Sequence, residues 1–541
     1  MKPGPRSLND FCEWPQTALR HLVDTEDGSR GERFERLKHN LQLGLLMYSD
    51  YSGLAGEHEC MFGITKALQT YEAFADHASA VRFCRFSDVG APQQKVLQAI
   101  SHLHEDKICV MGDLNDRLPP EARSLLDAML PTEKVGKGEL VKAYESMGQY
   151  LMDNRAWLFP RDAKSPCSVH GRGCFVFPQC SPPVEAPVLR RRRTKSGSAE
   201  PGLCTEPICA GTAQLRINLA GTTCCGWSSA GKSLQFADVS ERPHAVWLAE
   251  RRHRGEQCEE DFFVSECTPR YPVEAKLRNP LESSHDVLHI VVSATDLGWP
   301  VRRRRVFTCG LSKASMIWLG PPQEQLLDHF KSFFAAQMEA TADVFLFADN
   351  ADVVKELGRL AQKRGFCLCE NPDTAKIPLN QMYAPGQLLR YSEYDDLRKS
   401  IQGEDLTWFA DLEQNCGKGA STPGRILPSM LTHGTVHSWQ AQRTLTHREL
   451  YQAHGFFMKD ASSPIAKVLE QMPHSQQQML LGNGWHLPVM GSWLLYILAH
   501  SIRINRAMSV QPERGLLRAL SSKSLLSMVS ASDHSHAQAE D

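Results

Sequence analysis

The sequence lacks any apolar run long enough to span a bilayer. Its opening stretch, MKPGPRSLNDFCEWPQ, has no apolar centre of the kind a secretory signal requires. Nucleus or cytoplasm is therefore the expected location, with no membrane partner. An excess of one charge is also missing: 60 Lys and Arg stand against 62 Asp and Glu. That excludes a uniformly polycationic chain. A nucleic-acid enzyme, however, needs only local basic surface, and two runs offer it, Arg190–Arg193 and Arg302–Arg305. No internal repeat occurs, which excludes a solenoid. No Cys-x-x-Cys pair occurs among the 17 cysteines. Without an export signal these read as thiols, most of them small packing residues, rather than a disulfide framework.

What is present is a chain of 541 residues, enough for more than one domain. Residues 1–31 are rich in Pro, Gly and charge and are expected to be loosely ordered, within an N-terminal extension 1–43. From there strand and helix patterns alternate: strands near 45–50, 80–88 and 107–113, with helices from about 60 to 74 and 93 to 104. That alternation predicts a parallel α/β sheet. A long helix is expected over about 120–154, then an irregular segment over 158–213, so that 114–213 reads as an insertion. Regular character returns with strands at LRINLAG, 261–267 and 304–310. A helix pattern is expected between the last two. Residues 311–442 are heterogeneous, 443–504 are helical, and 505–541 form a Ser-rich tail.

Several short segments carry chemistry. Tyr51-Ser52-Gly53-Leu54-Ala55-Gly56 follows the first strand, where small residues let backbone approach a nucleotide-like ligand. Asp88 ends the second strand. A carboxylate there can accept from both ribose hydroxyls or can cap a helix. Asp113 ends the third strand, where in isolation it reads as a cap or turn residue. Thr222-Thr223-Cys224-Cys225-Gly226-Trp227-Ser228 follows a fourth strand. Phe263-Val264-Ser265-Glu266-Cys267 ends a fifth with an acid. Gly298-Trp299-Pro300-Val301-Arg302-Arg303-Arg304-Arg305-Val306-Phe307 puts two arginines on one face as it enters a strand. Near the end come Arg443-Thr444-Leu445-Thr446-His447-Arg448-Glu449 with Gly455-Phe456, and then Gly482-Asn483-Gly484 before Pro488-Val489.

In this order the segments resemble the motifs of cytosine-5 DNA methyltransferases, over about 44–310 and 425–500. The resemblance implies a doubly wound, Rossmann-like methyltransferase sheet in a catalytic domain 44–310, completed by 443–504. A smaller target-recognition domain would be inserted at 311–442. It implies S-adenosylmethionine as cofactor, held by Tyr51, Gly53, Leu54, Gly56, Asp88, Asp113, Thr223, Asn483 and Gly484, with Asp113 accepting from the adenine amino group. It implies Cys224 as the nucleophile that adds to C6 of a flipped-out cytosine, and Glu266 as the group that holds N3. Arg305 would reach the cytosine O2 and Glu266, while Arg303 would steady the nucleophile loop or a phosphate. Duplex DNA is the expected partner.

The sequence departs from the family at Thr223, where the family has Pro, at Cys225, where it has Gln, and at Cys267-Thr268, where it has Asn-Val. Two alternatives therefore stay open: a catalytically weak or inactive nucleic-acid-binding relative, and a tRNA cytosine-5 methyltransferase. The insertion holds Cys167, His170, Cys174, Cys180, Cys204 and Cys209. Their wide spacings differ from the commonest structural zinc sites, so no metal is expected. Arg190–Arg193 with Lys195 reads as a phosphate contact, a nuclear import signal or a plain basic loop.

Overall fold

The computed structural model describes residues 2–24, 30–71, 74, 81–177, 214–223, 225–228, 231, 233–368, 376–417 and 423–504. Cys224, Lys232, the run Arg190–Arg193, Lys195, Cys180, Cys204 and Cys209 lie outside them. A nine-stranded sheet organises the body. Its strands are β1 (Leu45–Asp50), β2 (Val81–Ser87), β3 (Cys109–Met111), β4 (Lys164–Cys167), β5 (Arg172–Phe175), β6 (Leu215–Gly221), β7 (Phe262–Cys267), β8 (His285–Ser293) and β9 (Arg304–Ser312). Their order across the sheet is β5-β4-β3-β2-β1-β6-β7-β9-β8. The central run β3-β2-β1-β6-β7 is parallel. The strand β9 runs antiparallel between β7 and β8.

The side chains show that the sheet is doubly wound. Phe262 and Val264 of β7 enter one core, and Phe263 between them enters another. In β6, Ile217 and Leu219 face the first core and Ala220 the second. Alternation across a pleated strand with both faces apolar requires helices on both sides. One face packs on Trp14–Val23, Gly56–Gln69 and Leu487–His500. The other packs on Lys137–Leu158 and Glu241–Glu256. Every residue of Leu487–His500 is buried, as befits a helix that is apolar all round.

Four expectations change. The opening residues are not loosely ordered among those described. Ser7 and Asp10 form a capping box for Leu8–Cys12, and Trp14–Val23 buries Trp14, Leu19 and Leu22. The Trp14 indole donates to the Gly455 carbonyl at 3.0 Å. Apolar residues at helical spacing outweigh the Pro, Gly and charge that suggested disorder, and each buried Leu contributes on the order of 2 kcal/mol. The expected long helix is two helices, Pro120–Met129 and Lys137–Leu158, parted around Pro131 and Gly136. The segment after 158 is not wholly irregular, because β4 and β5 form a hairpin that extends the sheet beyond β3. Where a helix pattern was expected after Cys267, the structure has short helical turns and then β8.

Residues beyond 311 divide between two cores. Leu326, Phe330, Phe333 and Phe334 of the helix Gln323–Phe334 join the main core. A separate small core gathers Val353, Leu357, Tyr383, Tyr394, Trp408 and Trp439. Among the described residues no helix is long and apolar enough to cross a membrane.

Candidate active site

The chain leaves β1 for the helix Gly56–Gln69 on one face of the sheet and leaves β6 for Glu241–Glu256 on the other, the point where an open α/β sheet leaves a crevice at its carboxyl edge. A cleft of about 290 Å³ lies there. Its walls come from the ends of β1 (Tyr51, Gly53), β2 (Asp88), β3 (Asp113), β6 (Thr222, Thr223) and β7 (Glu266). Antiparallel β9 starts beside the end of β7, so Arg303 and Arg305 reach the same space. Asn483 closes it from the C-terminal turn.

The floor is fixed by buried charge. Asp50, the last residue of β1, is paired with Arg85 at 2.9 Å and with Arg117, and it accepts from Asn218 at 2.8 Å. Arg117 also holds Glu250 at 2.6 Å, and Arg251 joins Glu250 at 2.9 Å to Glu260 at 2.5 Å. Burial alone would raise the Asp50 pKa, but Arg117, Arg85 and Arg251 outweigh it and hold the carboxyl well below the usual range. The same contest brings Glu250 down to about 2. The chain after Asp50 therefore leaves a rigid base.

That chain is strained. Tyr51 and Ala55 both have left-handed backbone, φ 54° and 57°, a conformation that costs a residue with a side chain on the order of 1–2 kcal/mol. Ala55 stands where the resemblance expects glycine. The turn is held by Ser52, whose N–H donates to the Ser87 carbonyl at 2.9 Å, and by Asp88, which accepts from the Gly53 N–H at 2.9 Å and the Gly90 N–H at 3.0 Å. Burial raises the Asp88 pKa against those hydrogen bonds. Asp113 accepts from the Asn115 N–H and side-chain amide through Oδ1 alone, at 2.9 and 2.8 Å. It therefore caps a short helix while lining the cleft.

On the opposite wall Arg305 Nε lies 2.9 Å from Glu266 Oε1. Burial pushes Glu266 above the usual carboxylate range, although Arg305 and Arg303 pull it down. Arg303, only 2% exposed, donates to the carbonyls of Gly482, at 3.2 Å, and Gly484. Arg303 thereby steadies the C-terminal turn, a role the sequence did not suggest. The turn itself is tightly seated: a Cβ at Gly482 would lie 2.3 Å from the Thr432 nitrogen.

Nine of the expected site residues line this one cleft: Tyr51, Gly53, Asp88, Asp113, Thr223, Glu266, Arg303, Arg305 and Asn483. Leu54, Gly56 and Gly484 do not. Leu54 is buried in the main core, Gly56 packs near Leu487, and Gly484 offers its carbonyl to Arg303. Cys224 lies outside the described residues, between Thr223 and Cys225, which both line the cleft. Sequence reasoning missed Val89, Gln93, Pro243 and Thr268, which are among the other lining residues. Val89 and Thr268 had a signal, since each follows a strand-end acid closely. Pro243 had none.

The late motif has a plain physical basis. Thr446 and Glu449 form a capping box, and Arg443 meets Glu449 in a buried fork at 2.8 and 2.7 Å. Glu449 also accepts from the Ala348 N–H at 3.0 Å, and Arg448 reaches Asp352 at 2.6 Å. The motif ties the helix to the start of the smaller lobe.

No protein-family model and no curated protein matches the chain. Among solved structures it is similar to the Entamoeba histolytica methyltransferase EhMeth, at 12% identity and TM-score 0.36, covering 84% of this chain and 98% of that one. It is similar to the S. pombe Dnmt2 methyltransferase at 10% identity and TM-score 0.36, covering 84% and 98%. It is also similar to a putative DNA modification methyltransferase encoded within an E. coli prophage, at 14% identity and TM-score 0.35, again covering 84% and 98%.

Proposed function

We propose that the chain is an S-adenosylmethionine-dependent cytosine-5 methyltransferase acting on a flipped-out cytosine, with duplex DNA as the preferred substrate. The observation that carries the reading is the convergence of Asp88, Asp113, Glu266 and Arg305, which come from four different strand ends, on one cleft. The cleft suits the cofactor. Asp88 offers acceptors for ribose hydroxyls, Asp113 keeps Oδ2 for an adenine amino group, and Val89, 76% exposed, gives a flat ring an apolar rim. When bound, S-adenosylmethionine supplies an electrophilic methyl group.

The chain's own residues do the rest. The Cys224 thiolate adds to C6, and the C5–C6 electron pair becomes available at C5. Glu266, whose proton burial favours, donates to N3, and Arg305 donates to O2, so charge developing on the ring is neutralised. Once C5 has gained the methyl, its proton passes to water and the Cys224–C6 bond breaks, restoring the aromatic ring. Base extrusion is required because C5 and C6 are not reachable in the stack.

The test is transfer of labelled methyl to duplex DNA and, in parallel, to tRNA, with Cys224→Ala as control. Transfer to DNA, with covalent trapping on a 5-fluorocytosine substrate and loss of both in the variant, is expected. Transfer to tRNA alone would reassign the substrate. Thr223, Cys225 and Cys267-Thr268 favour one second reading, a binding protein without catalysis. Cofactor binding without transfer to either nucleic acid would establish it.

A further inference from the structure

Away from the cleft, at the β3 edge of the sheet, four side chains converge. Cys109 comes from β3, Cys167 from the end of β4, His170 from the hairpin turn and Cys174 from β5. The three sulfurs lie 3.6, 3.3 and 3.5 Å from one atom, His170 Nδ1. All four ligand atoms fall within 4.8 Å of one another. Hydrogen bonding does not account for this, because a ring nitrogen has one lone pair or one N–H in the ring plane and serves one partner. The distances do match a shared ion. With Zn–S about 2.3 Å and Zn–N about 2.0 Å, the sulfur–nitrogen edge of a tetrahedron is about 3.5 Å.

We propose that Cys109, Cys167, His170 and Cys174 form a tetrahedral zinc site that clips the β4–β5 hairpin to the sheet. Four protein ligands leave no open position, so the site is structural and not a Lewis acid for chemistry. Binding exchanges three thiol protons for one divalent ion. Sequence spacing hid the site because Cys109 precedes His170 by 61 residues and only the fold joins them. The wide spacings that argued against zinc were counted within the insertion alone.

The fold also gives the clip something to do. Each strand of the hairpin has four residues, and one register pair, Met111 with Cys167, joins it to β3. So short a hairpin is marginal by itself. It also reaches the cleft. Ser168 Oγ donates to Gln94 at 3.0 Å, and Gln94 donates to the carbonyls of Asp88 and Met111. Ordering the hairpin therefore supports the strand end that carries Asp88.

The experiment uses the full chain expressed with zinc supplied. Elemental analysis is expected to find about one zinc per chain. Replacement by cobalt is expected to give a thiolate charge-transfer band and the strong visible bands of tetrahedral coordination. Cys174→Ser and His170→Ala are expected to lose the metal, whereas Cys416→Ser, a cysteine elsewhere, keeps it. If Cys174→Ser does not fold, Cys174→His serves in its place: it restores a ligand and is expected to retain metal with a weaker charge-transfer band. Less than about a tenth of an equivalent of any transition metal without a cobalt spectrum, metal retained unchanged in both variants, or a disulfide among Cys109, Cys167 and Cys174 overturns the proposal.

Discussion

Arg305 and Glu266 form an ion pair at 2.9 Å between adjacent antiparallel strands, and the pair is set against burial that favours a neutral carboxyl. Two opposed effects thus tune one proton. Burial holds it on Glu266 to higher pH than in an exposed glutamate, and the guanidinium pulls the other way.

Arg305→Met removes the pull, so the Glu266 pKa rises further. In the proposed chemistry protonated Glu266 donates to N3, and rate falls as pH rises through its pKa. The alkaline limb of methyl transfer is therefore expected to move to higher pH in the variant. The rate at its maximum should drop about 100-fold from the lost contact to O2. A pH–rate profile of both proteins checks this, and a limb displaced to lower pH would contradict the assignment.

Asp88→Asn separates structure from binding. The amide oxygen still accepts from the Gly53 N–H, while the amide nitrogen cannot accept from the Gly90 N–H, so one of the two turn bonds is kept. The charged acceptor for ribose hydroxyls is lost, and hydrogen bonds to charged groups contribute about 1.5–3 kcal/mol each. Cofactor affinity by calorimetry is expected to fall about 10- to 100-fold, while stability falls only by the one lost turn bond, about 1 kcal/mol. Unchanged affinity would remove Asp88 from the cofactor site.

Arg117 bridges Asp50 and Glu250, all three buried. Arg117→Met strands two carboxylates without their shared cation, and breaking such a pair costs about 3–5 kcal/mol. Urea unfolding should register that loss. A change below about 1 kcal/mol would mean that Arg85 and Arg251 suffice.

Legibility of the sequence followed locality. The strands β1, β2, β3, β6 and β7 could be read because apolar runs ended in turn residues, and the acids at the ends of three of them, Asp88, Asp113 and Glu266, came with them. The helix Trp14–Val23 was not read, because its partner surface is the helix Leu487–His500 and the Gly455 carbonyl, almost a whole chain away. The strand β8 was missed because LHIVVS is equally compatible with a buried helix when its neighbour is unknown. The cysteine cluster failed for the same reason, since Cys109 has no local signal at all. The bonds from Arg303 to the Gly482 and Gly484 carbonyls were not foreseen, because alternation entering β9 gives a face, not what lies opposite it.

His486 tests how the buried surroundings of Arg303 respond to acid. It is buried edge-on against Trp299, its ring nitrogens have no hydrogen-bond partner among the described residues, and Arg303 is nearby. Burial first, and Arg303 second, lower its pKa to about 3. Unfolded, the imidazole returns to about 6.5 and takes up a proton. The unfolded chain then binds more protons between these values, so this contribution to stability is complete above about pH 6.5 and declines as pH falls. From pH 6.5 to 5 the decline is about 2 kcal/mol for this residue. His486→Leu cannot take up that proton. The variant is therefore expected to lose about 2 kcal/mol less than the parent between pH 7 and pH 5 in urea unfolding, whatever its stability at pH 7. Equal losses in the two proteins would show that His486 keeps its ordinary proton affinity in the fold.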